Sequence, residues 1–443
     1  MSAPISIRSF LLSARNHLET ALRQKQHINF VIGNESADLD SITSTLLYAF
    51  FRSSSSNAPT AATSRSVVSS SDSRVSTFSK FYVPVLNIPS QDISIRPELL
   101  ALLPHVGLEP SQLITLSDIP SPPYTKDLPA ENTSWTLVDH NALRGSLGEA
   151  YRERVVGCID HHEDEHKVPS EEEQRKGEPR IVEVTGSCTS LVINHFQSTW
   201  DAHDSSKATT SFGKTSEDNT SENQDINAQL AKLALASILV DTSNLQNADK
   251  TTDHDRRAVV YLEKKIADES FDRKAWFKML QTAKKDLDEL RIGDVLRKDY
   301  KEWNEAGRRL GVSSVVKPLQ WLNDKAMTES SDGDRKDLFR VALKEFAEQR
   351  DLAIYAIMTT SSKDGEFRRE LLLWVRDQSA IGMMQKFTQL ASDRLGLEKW
   401  QEGDGAVIQL SEEDESFKIW QQKKVENSRK QVAPLLREAV ASL

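Results

Sequence analysis

Val155-Val156-Gly157-Cys158-Ile159-Asp160-His161-His162 decides the fold: an apolar run the length of one strand stops at a carboxylate and two imidazoles. A short apolar run bounded in this way reads as a buried strand. Working outward, the pattern repeats. Trp135-Thr136-Leu137-Val138-Asp139 is a second apolar run closed by an aspartate, and Ile28-Asn29-Phe30-Val31-Ile32-Gly33 is a third, followed by Asp38 and Asp40 within GNESADLDS, residues 33–41. Lys80 to Ile88 and Arg180 to Thr185 add two more strand candidates. Ser41 to Phe51 reads as a helix, and the Ala- and Leu-rich stretch Asn227 to Val240 as another, ending at Asp241. Strands alternating with helices predict an α/β fold with a mainly parallel sheet flanked by helices.

From about Ser270 the character changes. Phe271 to Leu290 predicts a long charged helix, with strand candidates at Leu352 to Met358 and Glu370 to Val375. The expected organisation is a first domain over residues 1–250, a linker over 251–270 and a smaller α/β domain over 271–443, with the active site in the cleft between the domains. Ser53 to Thr77 and Asp201 to Asn227 are polar enough to be surface insertions. The 443 residues are 38% hydrophobic, ample for real cores.

No run of apolar residues is long enough to span a bilayer. The N-terminal residues carry Arg8 and Arg15, but Leu11, Leu12, Leu18 and Leu22 recur as on an amphipathic helix. That predicts a cytoplasmic protein, with a mitochondrial pool as the alternative. Two cysteines, Cys158 and Cys188, exclude a disulfide framework. With 56 basic and 66 acidic residues the net charge is −10, so the overall field does not attract nucleic acid. No nucleic-acid or membrane partner is expected; a monomer is the simplest assembly.

In an open α/β sheet, ligands bind beyond the carboxyl ends of the strands. Asp38, Asp40, Asp139, Asp160, His161 and His162 all follow strand candidates, and Asp241 ends a helix. Singly, each has a plain reading as a cap, a turn residue or a satisfied histidine. Together they place many carboxylates beside a core, at a desolvation cost of several kcal/mol that a bound cation offsets. Carboxylates with one or two imidazoles suit Mg²⁺ or Mn²⁺ better than zinc.

At this point the chain resembles the DHH phosphoesterases. GNESADLDS, LVDHN, GCIDHH, EPRIVEVTGSCTSLV and ILVDTSN are similar, in order, to the fungal cytosolic exopolyphosphatases. SRKQVAPLL from Ser428, LRKDYKEW from Leu296 and GVSSVVKPLQWL from Gly311 resemble the DHH-associated domain shared with family II inorganic pyrophosphatases. The resemblance implies that Asp38, Asp40, Asp139, His161 and Asp241 ligate two divalent ions, Mg²⁺ or Mn²⁺ with Co²⁺ possible, and that Asp139 bridges them. It places His162 beside them, on a ligand or on phosphate, with Asp160 holding an imidazole. Pyrophosphatases of this family carry a histidine where this chain has Asn34, which argues against plain pyrophosphatase activity.

The implied reaction is hydrolysis of the terminal phosphoanhydride of inorganic polyphosphate, releasing orthophosphate. Such phosphoryl transfer depends mainly on positioning and charge neutralisation. For the polyanion, the resemblance offers Arg429 and Lys430. Residues 273–309 add 11 Lys or Arg against 7 Asp or Glu, with Lys284, Lys285, Lys298 and Lys301 as candidates. Gly186 to Ser190 opens a helix whose free amides, with Ser187, are a candidate phosphate contact, explained about as well by capping. Cys188 at the same terminus is a candidate for a lowered pKa, though no base is implied for it. The alternatives are an inorganic pyrophosphatase, a prune-like nucleotide phosphodiesterase, or a non-catalytic binding protein on the same fold.

Overall fold

In a computed structural model, the described residues are 6–55, 81–122, 126–170, 172, 177–209, 216–329, 338–400 and 416–442. They divide into two compact units, Met1–Ser94 with Glu98–Thr282, and Ile95–Pro97 with Ala283–Leu443.

The first unit contains α1 (Ile7–Gln24), β1 (Ile28–Ile32), α2 (Leu39–Ser55), β2 (Tyr82–Val85), α3 (Pro97–Leu102), β3 (Thr133–Val138), α4 (Gly145–Tyr151), β4 (Val155–Asp160), β5 (Arg180–Val182), α5 (Cys188–Thr209), α6 (Ser216–Asp241), α7 (Asp253–Ile266) and most of α8 (Arg273–Lys285), whose last residues from Ala283 belong to the second unit. Its five strands pair in the order β2-β1-β3-β4-β5, every pair parallel. Covered on both faces, such strands carry unbroken apolar runs, and β3 and β4 are buried throughout. In α1, Ile7, Phe10, Leu11, Ala14, Leu18 and Ala21 form the buried stripe, capped by Ser6, while Leu12 faces out.

Two expectations change here. Residues 251–270 do not form a linker: α7 occupies most of them, with Ala258, Val259, Leu262 and Ile266 buried at helical spacing. The charges between those positions hide the stripe, and the units divide after Thr282. The second polar stretch is also not a free insertion, because residues 201–209 continue α5 and residues 216–227 begin α6. The Lys265 ammonium bonds Asp201 at 2.8 Å and also Asp204, over the rings of Trp200 and Tyr261, and Trp200 Nε1 donates to Asn227 Oδ1 at 2.9 Å. Of the first stretch, Ser53 and Ser54 are buried in α2, and Ser53 Oγ accepts from the Tyr82 amide at 3.0 Å. Residues 56–77 lie outside the described residues.

The second unit contains α9 (Ile292–Lys298), β6 (Tyr300–Glu305), β7 (Arg308–Val315), α10 (Leu319–Glu329), α11 (Leu338–Gln349), β8 (Ile354–Thr359), β9 (Ser361–Lys363), β10 (Glu366–Val375), α12 (Gly382–Leu395), β11 (Leu397–Lys399), β12 (Phe417–Gln422) and α13 (Arg429–Ala441). The strand order is β11-β12-β10-β8-β7-β6, with β9 on β10, and only β7 and β8 run parallel. Alternate residues of β8 and β10 serve two cores: Tyr355, Ile357, Leu372 and Trp374 pack with α10 and α11, while Ile354, Ala356, Leu371 and Leu373 pack with α12 and α13. The hairpin β6–β7 turns at Ala306 and Gly307, with φ of 50° and 78°, the left-handed pair that a tight two-residue hairpin needs.

Candidate functional site

Because β1 and β3 are neighbours at the centre of the sheet, the strand order reverses there, and a crevice forms beyond such a switch point. Asn34, Asp38 and Asp40 follow β1, Asp139 follows β3, and Asp160, His161 and His162 close β4. Three of them converge: Asp139, His161 and His162 each offer a ligand atom, all within 4.8 Å of one another. Asp139 takes φ +60°, a left-handed conformation that aspartate adopts more readily than most side chains.

Asn34 braces this carboxylate. Its Nδ2 donates to Asp139 Oδ2 at 2.7 Å and to the Asp139 carbonyl at 3.2 Å, and its Oδ1 accepts from the Ser36 amide at 2.9 Å. The other oxygen, Oδ1, lies 3.1 Å from His161 Nε2. On the far side of that ring, Nδ1 donates to the Thr185 carbonyl at 3.1 Å, which directs the Nε2 lone pair at Asp139, with Asp40 Oδ2 at 3.9 Å. A lone pair facing two carboxylates calls for a proton or a metal cation between them. The 3.1 Å spacing suits neighbouring ligands about 2.1 Å from a common octahedral ion. With oxygen and imidazole donors and no thiolate, the set fits a hard divalent cation.

Asp160 stands behind the imidazoles. Its Oδ1 accepts from His162 Nδ1 at 2.8 Å and from the His161 amide at 2.7 Å, and its Oδ2 accepts from Asn141 Nδ2 at 2.6 Å. Burial pushes this carboxyl up, but His162, His161 and Asn141 outweigh it and hold it well below the usual carboxylate range. It therefore holds an imidazole, as the resemblance implied. His162 Nδ1 stands 3.8 Å from Asp139 Oδ1.

The start of α5 reverses one expectation. Its amides are taken by carboxylates of the protein itself: Cys188 N donates to Asp40 Oδ2 at 2.7 Å, Thr189 N to Asp40 Oδ1 at 3.0 Å, and Gly186 N and Ser187 N to Asp255 at 3.0 and 3.2 Å. Ser187 is fully buried, with Oγ donating to Asp40 Oδ1 at 2.7 Å. A negative charge complements this helix end, so the terminus is already satisfied and Ser187 is not a phosphate contact. Cys188 is also corrected, because burial pushes its thiol up and Asp40 adds to the shift.

Asp38 is half-buried, with Oδ1 accepting from Ser41 N at 3.0 Å as a helix cap. Asp241 ends α6, and Ser243, Asn244 and Leu245 after it take φ of 51°, 58° and 64°, a strained left-handed turn. Neither aspartate belongs to the three-residue cluster. Thr242 nevertheless lies against Gly186, where an added Cβ would stand 2.5 Å from its Cγ2, so the end of α6 abuts the segment that holds Asp40. In the second unit, Arg429 reaches Asp299 with Nη2 at 2.7 Å from Oδ1 and donates Nη1 to its carbonyl at 3.0 Å. Partial burial works against ionising Asp299, but Arg429, Lys301 and Lys284 together pull its carboxyl below the usual range. Lys284 and Lys301 thus gather with Arg429, and Lys430 is exposed on the next position of α13. Sequence reasoning missed Asn141, two residues past Asp139 in LVDHN, and Asp255, which looked like any helix-opening acid.

Residues 29–238 match the DHH family, N-terminal domain, and residues 278–439 match the DHHA2 domain. A Schizosaccharomyces pombe protein named "Putative exopolyphosphatase" is 30% identical over 98% of this chain and 95% of its own length. The chain belongs to the DHH family. Mouse "Exopolyphosphatase PRUNE1" is 25% identical over 95% of this chain and 77% of its own length. Among solved structures, a Methanococcus jannaschii "putative family II inorganic pyrophosphatase" shares the fold, with TM-score 0.54 and 18% identity over 93% of this chain and 99% of that one. The DHHA2 match runs from within α8 to within α13 and so covers the second unit, while the DHH match stops within α6. The cluster Asp139, His161 and His162 lies wholly in the DHH match.

Proposed function

We propose that this DHH-family chain is an exopolyphosphatase, a divalent-metal-dependent hydrolase that releases orthophosphate from the end of inorganic polyphosphate. The observation that carries the reading is the Asp139 carboxylate meeting the His161 Nε2 lone pair at the carboxyl edge of the parallel sheet. Similarity to exopolyphosphatases along nearly the whole chain supports it. In this reading Asp38, Asp40, Asp139, His161 and Asp241 hold two ions, Mg²⁺ or Mn²⁺ with Co²⁺ possible. Bound divalent ions would supply Lewis acidity that activates water and neutralises phosphate charge.

The remaining work falls to the chain's own groups. Thr185 fixes the ring of His161, and the start of α5 fixes Asp40. Asp160 holds the His162 ring, whose imidazole touches the terminal phosphate. Asn34 keeps one oxygen of Asp139 occupied as an acceptor. Arg429 and Lys430 bind the phosphate chain, as Arg pairs readily with phosphate oxygens. The test is orthophosphate release from polyphosphates of defined length and from pyrophosphate, with Mg²⁺, Mn²⁺ and Co²⁺. Faster turnover of polyphosphate than of pyrophosphate supports the reading. Preference for pyrophosphate makes the chain a pyrophosphatase, and no release with any ion overturns hydrolysis.

A further inference from the structure

Thr185–Ser190 touches two sides of the candidate metal centre. The Thr185 carbonyl accepts the Nδ1 proton of His161. Ser187 Oγ, Cys188 N, Thr189 N and Thr189 Oγ1 all donate to Asp40, at 2.7 to 3.0 Å. One short segment therefore orients both an imidazole and a carboxylate.

That segment is itself held from behind, by the start of α7. Asp255 is completely buried and accepts from Gly186 N at 3.0 Å, Ser187 N at 3.2 Å and Ser190 Oγ at 2.7 Å. It also closes its own capping box, accepting from Thr252 N at 2.8 Å and Thr252 Oγ1 at 3.0 Å. Thr252 Oγ1 in turn meets Thr185 Oγ1 at 2.8 Å. The packing leaves no slack, since a Cβ at Gly186 would lie 2.9 Å from Asp255 Oδ2. An ordinary capping box needs only the amides of its own helix. Here a buried carboxylate also takes three donors from a second element, and that arrangement tethers the segment rather than merely starting a helix.

We infer that Asp255, with Thr252 and Thr185, is a positioning element for the metal centre: it sets cation affinity by fixing Thr185–Ser190 against Asp40 and His161. The inference rests on the reading of Asp40 and His161 as metal ligands. It is tested by calorimetric titration of Mn²⁺ into the full chain, below the melting temperature of each variant. The variants are Asp255→Asn, Thr185→Val and Asp118→Asn, the last altering a comparable capping box, with Thr115, elsewhere in the same unit.

Loss of a group supporting a metal ligand weakens binding by roughly 10- to 100-fold. Asp255→Asn is expected to raise the Mn²⁺ Kd by at least about 10-fold. Thr185→Val should raise it less, with the stoichiometry unchanged in both, and saturating Mn²⁺ should restore phosphate release. Asp118→Asn should lower the melting temperature and leave Kd alone. A merely structural role would lower the melting temperature or the bound fraction of Asp255→Asn without moving Kd, and that result overturns the inference. If Asp255→Asn does not fold, Thr185→Val decides, and an unchanged Kd there overturns it as well. If the wild-type chain binds no Mn²⁺, the ligand reading and this inference fall together.

Discussion

Asn34 stands where the resemblance to family II pyrophosphatases implies a histidine. Its amide donates to Asp139 Oδ2 and to the Asp139 carbonyl, so it acts as a brace on the carboxylate. A neutral imidazole is a better ligand for Mn²⁺ than a side-chain amide is. Asn34→His is expected to tighten Mn²⁺ binding and to raise kcat/KM for pyrophosphate relative to polyphosphate, measured side by side across a Mn²⁺ titration. A flat or falling ratio in the folded variant would move selectivity to other residues. At this scale the sequence was informative wherever an apolar run ended in a charge, as at Asp139 and at Asp160 to His162. It was misleading at Ser187, because the group that satisfies its hydroxyl is Asp40, 147 residues away. No local pattern reveals a partner at that distance, and a helix start with free amides looks the same as one already capped by a carboxylate.

At the scale of elements, the polar reach Asp201 to Asn227 teaches the same lesson. Composition alone suggests solvated chain, yet α5 and α6 extend into it and α7 reaches back through Lys265. Lys265→Met should loosen this end of α5, with a cost of about 1 kcal/mol for a partly exposed ion pair. Hydrogen exchange should quicken around residues 200–204, and the melting temperature should drop by a few degrees. Asp201 adds a pH signature. Burial pushes its carboxyl up, but Lys265 and Tyr261 together outweigh it and hold it below the ordinary range. A depressed folded-state pKa stabilises above the unfolded value of about 4 and loses that stabilisation as the pH falls through the folded value. The wild-type advantage over Lys265→Met should therefore be full near neutrality and shrink below about pH 4. An equal gap at all pH values would show that Lys265 acts only through packing on Trp200 and Tyr261. The strands of the first unit were easy to read because buried parallel strands are continuously apolar. Those of the second were harder: β6, with Lys301, Glu302, Asn304 and Glu305, has only a half-buried face, so its charges mask the alternation.

For the whole molecule, the puzzle is a chain of net charge −10 that is proposed to act on a polyanion. In the proposed reading the resolution lies in local charge: divalent cations would offset the phosphate charge at the Asp139 cluster, and in the second unit Arg429 pairs with Asp299 while Lys301 and Lys284 add positive charge to the same carboxyl. Arg429→Ala combined with Lys430→Ala should raise KM for polyphosphate more than it lowers kcat, and added salt should weaken wild-type binding more than that of the double variant. Identical salt dependence would leave Arg429 as a structural clasp on Asp299 and Lys430 as surface charge. The most direct measurement is electrophoresis of long-chain polyphosphate during partial digestion with Mn²⁺, comparing wild type with Asp139→Asn. Asn suits the left-handed backbone at that position but carries no charge for a cation. The account predicts that wild type shortens chains from their ends, with orthophosphate released from the first minutes. It predicts that folded Asp139→Asn is slower by more than the roughly 10²–10³-fold typical of losing one electrostatic group. Chains cut in the middle, or near-normal release by the folded variant, would contradict it.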